Sequence, residues 1–211
     1  MLKKVWTIAL AGVLSASVAS AQGARPASPE NKVSTEVGGS YVKGQRGETY
    51  QGGKWIEITY GAPVLRGRTG TIWGSGAEYG KTLLAGGPIW RAGANVSTRL
   101  KTEVPLSIGG KTVAPGEYTM FIELKSPTEW TLVISSWPAQ VKYDPQNKAA
   151  LWGGYNYTPD KDVARVAMKV EKMPVSLDAL SWNFANVTAT GGMFVISWDT
   201  AMAAAPFTIG K

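Results

Sequence analysis

The 211-residue chain carries 22 basic and 15 acidic residues, a formal charge of +7, and neither cysteine nor histidine. Their absence removes Ser-His-Asp triads, imidazole and thiolate metal ligands, thiol nucleophiles and disulfides. Carboxylates, lysines, arginines and tyrosines remain for chemistry, on a chain whose 44% hydrophobic content and nine tryptophans must build a core without covalent help.

In chain order, Lys3 and Lys4 precede an apolar run over residues 5–18, and Ala19-Ser20-Ala21 offers the small side chains of a signal-peptidase site. Residues 1–21 therefore read as a cleaved secretory signal. The run is shorter than the roughly 20 residues of a membrane span, and a lipid anchor would require a cysteine. The mature protein is expected to be periplasmic or secreted, with no membrane anchor. Without Lys3 and Lys4 there are 20 basic against 15 acidic residues, scattered singly, which argues against nucleic acid as a partner.

Residues 22–53 are rich in Gly, Ser, Pro, Lys and Glu and poor in aliphatic side chains, which predicts a flexible lead-in arm. A single domain is expected over 54–211. It opens with strict alternation, Ile56, Ile58 and Tyr60 facing one way and Glu57 and Thr59 the other, the period of a half-buried strand. The same period recurs in Tyr118, Met120, Ile122 and Leu124, with Phe121 and Glu123 among the alternates, and in Trp130, Leu132 and Ile134. Three later segments repeat it: Ala164 to Val170, Leu180 to Phe184, and Phe194 to Trp198, with Arg165, Lys169, Glu171, Asn183 and Asp199 on the opposite face.

Gly109-Gly110, Pro115-Gly116 and Gly191-Gly192 supply turn chemistry and predict hairpins. No helical period stands out beyond the signal. Many short strands with Gly and Pro turns and no intervening helices predict an all-β fold, an antiparallel, jelly-roll-like β-sandwich.

Among motifs that carry chemistry, residues 74–82 imitate a phosphate loop, but the glycine pair is one residue out of register and no helical pattern follows. Asp160 and Asp162 lack the glycine and terminal glutamate of an EF-hand and read as a strand-entry turn. Neither a cofactor nor a metal is expected. Asn95, Asn156 and Asn186 each begin a glycosylation-type triplet, a pattern short enough to arise by chance. Glu117 and Glu123 share one strand face, where solvated charge is the commoner role than a catalytic pair.

The block Ile89-Trp90-Arg91-Ala92-Gly93-Ala94-Asn95 is the most specific feature. With Pro63, Arg66-Gly67-Arg68 and Tyr79-Gly80 before it, and Gly110-Lys111, Pro115-Gly116-Glu117-Tyr118 and Glu129-Trp130 after it, the chain resembles the bacterial exported domain-of-unknown-function family 2911. The resemblance covers most of the mature chain and implies no particular activity. Two positions depart from the family pattern: Val96, where relatives commonly carry glutamate, and Ala62, where many carry arginine. Arg68, Tyr79, Trp90, Arg91, Asn95 and Tyr118 form the candidate ligand-binding set, because guanidinium, amide and aromatic groups together suit a small polar ligand or glycan. The same block also suits a structural role, with Arg91 on loop carbonyls, Trp90 buried and Asn95 closing a turn. The expected function is a non-catalytic binding module for a small polar ligand, glycan or protein partner. A carboxylate-dependent hydrolase of envelope saccharides and a purely structural protein are the alternatives.

Overall fold

A computed structural model describes residues 27–142, 144, 146, 154 and 156–210; the signal expected over 1–21 lies outside the described residues. The domain opens with β1 (Glu30–Val37), a separate hairpin of β2 (Ser40–Gly44) and β3 (Gly47–Gln51), and β4 (Lys54–Gly61). A long loop containing a 3-10 turn (Gly76–Glu78) and a single helical turn, α1 (Lys81–Leu84), leads to β5 (Thr98–Thr102). The short pair β6 (Leu106–Ile108) and β7 (Lys111–Val113) follows, then β8 (Gly116–Ser126), β9 (Glu129–Ser135), β10 (Asp162–Thr188) and β11 (Gly191–Ile209). No described helix is long and apolar enough to cross a membrane.

Hydrogen-bonded neighbours run β1-β4-β5-β8-β9-β10-β11-β6-β7, every pair antiparallel. β10 belongs to both layers of the sandwich. Residues 162–168 pair with β9, and residues from Lys169 onward pair with β11. Where separate strands are expected over 164–170 and 180–184, one strand runs through, because bulges absorb the residues between them. Residues 173–176 stand opposite Thr200 alone, and 178–180 opposite Trp198 alone. The outer side of this bulge is covered by the segment before Arg66: Leu65 N–H donates to Asp178 O at 2.9 Å and Leu180 N–H to Pro63 O at 2.9 Å.

The alternating apolar faces meet between the layers. Ile56, Ile58, Leu100, Met120, Ile122, Leu132 and Ile134 from one side pack with Leu106, Trp182, Phe194, Ile196 and Phe207 from the other. The Gly109-Gly110 turn forms the expected hairpin, both glycines at positive φ (57° and 77°), as a two-residue turn between twisted strands requires. Pro115-Gly116 does not. It carries the chain from β7 to β8, which pairs with β5 and β9 instead. Residues from Glu30 onward are likewise strand rather than arm. β1 pairs with β4 along its whole length, Glu30 opposite Gly61 through Val37 opposite Lys54, so backbone hydrogen bonds dock a segment with few apolar side chains.

Alternation fails on one outer face. Phe121 and Val133 point away from the main core yet are fully buried, roofed by Ile89 and Tyr157 with Trp137 alongside. Trp182, 1% exposed, joins the layers by packing in the core and donating its indole N–H to Ala92 O at 2.9 Å. Trp182→Ala should lower stability by about 3–5 kcal/mol, read from urea unfolding followed by far-ultraviolet dichroism. A loss below about 1 kcal/mol would be incompatible with this packing.

Candidate functional site

Residues 90–95 lie where β5 would continue beside β8. Trp90 and Ile122 exchange backbone hydrogen bonds of 3.1 and 2.9 Å, making Trp90 a one-residue extension of the sheet. Beyond it Ala92 (φ 54°) and Asn95 (φ 64°) take left-handed backbone, a conformation that costs about 1 kcal/mol or more for alanine. Three hydrogen bonds hold it. Ala92 O accepts from Trp182 Nε1 and from Thr98 Oγ1 (3.1 Å), and Asn95 Nδ2 donates to Ser28 O at 2.9 Å. Close packing favours glycine on both sides: a Cβ on Gly61 would lie 1.9 Å from Ala94 O, and one on Gly93 would lie 2.8 Å from Thr98 Oγ1 and 3.0 Å from Gly61 O.

Arg68, Trp90, Arg91 and Asn95 converge on one open cleft of about 380 Å³, with Trp198 beside them and Thr82 of α1 at its rim. Arg68 partly staples its own loop, Nε to Leu65 O at 2.8 Å and Nη2 to Val64 O at 3.0 Å. Arg91 is 9% exposed and Trp90 1%. Trp90 makes edge contacts with Trp73 (5.7 Å between centroids) and Trp130 (6.3 Å), so its ring is core and only borders the cleft.

The other two members of the expected set lie elsewhere. Tyr79 borders a neighbouring cleft of about 390 Å³ with Trp73, Lys172 and Asp199. Its hydroxyl accepts from Trp130 Nε1 at 2.8 Å, and burial raises its pKa despite that hydrogen bond. Tyr118 lies two residues before Met120 on β8, opposite Leu100, and donates to Ala114 O at 2.9 Å, a tie across the β7–β8 connection. It borders none of these clefts. Strand alternation places Tyr118 on the same face as Ile122, but farther along β8, toward its start, than the point where Trp90 pairs.

Sequence reasoning also missed two groupings. Asp199 is fully buried, at φ 50°, accepting from Gly70 N–H (2.9 Å) and Ser176 Oγ (2.7 Å), so it ties the loop after Arg68 to the β10 bulge. The second grouping lines a cleft of about 530 Å³ on the outer face. Arg165 spans two carboxylates there, Nη2 to Glu123 Oε2 at 2.5 Å and Nη1 to Asp162 Oδ2 at 2.7 Å, and Tyr157 donates to the same Asp162 oxygen at 2.6 Å. Residues three apart on a strand normally face opposite ways. The register shift between Asp162 and Ala164 brings Asp162 and Arg165 to one face. Glu117, read with Glu123 as a possible pair, is exposed and borders a different groove. Among the described residues no group of three His, Cys, Asp or Glu side chains is placed to hold a metal.

Burial, then the hydrogen bond to Asp162 and its charge, push the Tyr157 pKa far above the ordinary 10.0, with Arg165 opposing. The folded state thus holds this proton more tightly than the unfolded chain. The resulting stabilisation is complete below about pH 10 and is lost as pH rises beyond it. In calorimetric melts the wild-type Tm should fall above about pH 10, and Tyr157→Phe should have a lower Tm at neutral pH but a shallower alkaline decline. Identical alkaline slopes in the two proteins would remove Tyr157 from this account.

A family model described as "Protein of unknown function (DUF2911)" matches residues 44–207, from the end of β2 to near the end of β11. Comparisons with curated proteins and with solved structures gave no match. The match spans strands of both layers and more than half of the chain, and on that extent the chain belongs to the DUF2911 family.

Proposed function

We propose that the protein is an exported, non-catalytic binding module that takes a small anionic polar ligand, such as an acidic saccharide, in the Arg91 cleft. One observation carries the reading: among the described residues, two arginines and no acidic residue line this cleft, beside Asn95 and indole edges. Guanidinium groups suit carboxylate or phosphate oxygens, and an aromatic border suits the apolar face of a sugar ring. A cleft of about 380 Å³ matches a mono- or disaccharide-sized ligand. Its frame is held by the hydrogen bonds on Ala92 O, so a ligand would meet donors already in place.

Titration calorimetry with glucuronate and with glucose tests the charge requirement. Glucuronate should bind at least about tenfold more tightly, because glucose lacks the group the arginines would hold. Arg91→Met should abolish this preference. Thr82→Asp gives an independent check, since Thr82 is exposed at the rim and the change adds a repelling charge without removing a hydrogen bond described above. Equal binding of the two sugars, or unchanged glucuronate affinity in folded Arg91→Met and Thr82→Asp proteins, would end the proposal.

Export rests on Lys3, Lys4, the apolar run and Ala19-Ser20-Ala21. Intact-mass analysis of protein recovered from outside the cytoplasm should show a chain beginning at Gln22. A chain still bearing Lys3 and Lys4 would contradict it.

A further inference from the structure

The cleft around Arg165 has a charge and hydrogen-bonding balance unlike that of the Arg91 cleft. One guanidinium serves two carboxylates, so the Glu123–Arg165–Asp162 group carries one negative charge in excess. The Asp162 side chain is only 7% exposed. Its Oδ2 takes the protons of Tyr157 and Arg165, while Oδ1 is shut off from water and has no hydrogen-bond partner. A buried acceptor left in that state costs about 1–3 kcal/mol, and more when charged. Lys111 borders the same cleft but is exposed and forms no ion pair with either carboxylate. Pro88, Ile89 and Pro159 give the remaining wall an apolar character.

We propose that this cleft is a second ligand site, for a small molecule with a protonated amine on a short apolar body. The ammonium donates to Asp162 Oδ1 and Glu123 and neutralises the excess charge, and the apolar part lies against Ile89 and the two prolines. Because Oδ1 is shut off from water, docking requires the side chains around it to open, an induced fit. A divalent cation suits the site poorly, because it needs six or more oxygen ligands and would face the guanidinium already bound to both carboxylates. A neutral alcohol would leave the charge uncompensated.

The way Asp162 is held through its other oxygen supports the assignment. The Tyr157 ring is set between Phe121 (5.0 Å) and Trp137 (6.0 Å), which fixes its hydroxyl at Asp162. Across the cleft the β6–β7 turn is so close that a Cβ on Gly109 would lie 2.2 Å from Arg165 O. Asp162 Oδ2 is therefore held by Tyr157 and Arg165, neither of which reaches Oδ1.

The test is an NMR titration of the full mature chain with propylammonium chloride at neutral pH, with propanol and calcium chloride as parallel probes. Propylammonium should give saturable shifts at Ile89, Glu123, Asp162 and Arg165, and propanol and calcium should not. Glu123→Gln removes the excess charge while leaving Arg165 an acceptor, and should weaken binding by about tenfold. Asp162→Asn should abolish it, and if that protein fails to fold, Glu123→Gln decides alone. Lys111→Ala removes the second cation lining the cleft and should tighten binding. Four results would each overturn the proposal: no saturation, propanol or calcium shifting the same resonances equally, unchanged affinity in folded Glu123→Gln, or weaker binding in Lys111→Ala.

Discussion

The hydrogen bond from the Trp182 indole to Ala92 O is the interaction on which the rest of the site depends. Trp182 sits in one layer and residues 90–95 extend the other, so this contact joins the two sheets at the point where the backbone is least comfortable. Alanine at φ 54° persists only if its surroundings over-determine it. Here Thr98 adds a second donor to the same carbonyl, and Gly61 and Gly93 let two backbones approach within a distance no side chain would permit. The loop is thereby fixed without a disulfide or a metal, which suits a chain lacking both cysteine and histidine.

Fixing the loop also organises the aromatic end of the sandwich. Trp73 packs against Trp90, Trp130 and Trp198 at centroid distances of 5.7, 4.8 and 5.9 Å. Those rings come from the long loop, the motif, β9 and β11, so the cluster binds together parts of the chain that share no hydrogen-bonded ladder. The long loop reaches this position because the β10 bulge offers backbone groups to Pro63 and Leu65, and because Asp199 draws in Gly70. A bulge that looks like an interruption of β10 is what places one wall of the Arg91 cleft.

Strand alternation made the main layers legible: Ile56 and Ile58, Met120 and Ile122, Leu132 and Ile134, and Phe194 and Ile196 all face the core as their spacing implies. It failed where burial comes from sequence-distant cover. Phe121 reads as an outward position because nothing near it in sequence announces Ile89 or Tyr157. β1 escaped notice since its attachment is a backbone ladder with little apolar content. For the candidate site, Arg68, Trp90, Arg91 and Asn95 border one cleft, but family likeness alone could not tell that Tyr118 lies on β8 toward its start, away from Ile122, the partner of Trp90. The Arg165 group was hidden for a geometric reason. A period-two reading sends Asp162 and Arg165 to opposite faces, and only the register shift at the start of β10 reunites them.

The motif residues also stand between two clefts of different charge make-up. Because Trp90 pairs with Ile122 as a strand residue would, its neighbour Ile89 turns outward while Trp90 turns inward. Ile89 walls the cleft with the excess carboxylate, and Trp90 and Arg91 border the cleft lined by arginines. Three consecutive residues therefore touch both sites through one short, sheet-like hinge. A shift of this backbone relative to β8 would move a wall of each cleft at once, so ligands that favour different positions of residues 89–91 would alter each other's affinity, equally in both directions. Neither cleft needs a titrating imidazole to do so. Both clefts hold arginine and only the Arg165 cleft adds carboxylates, so the placement of charge is what distinguishes them.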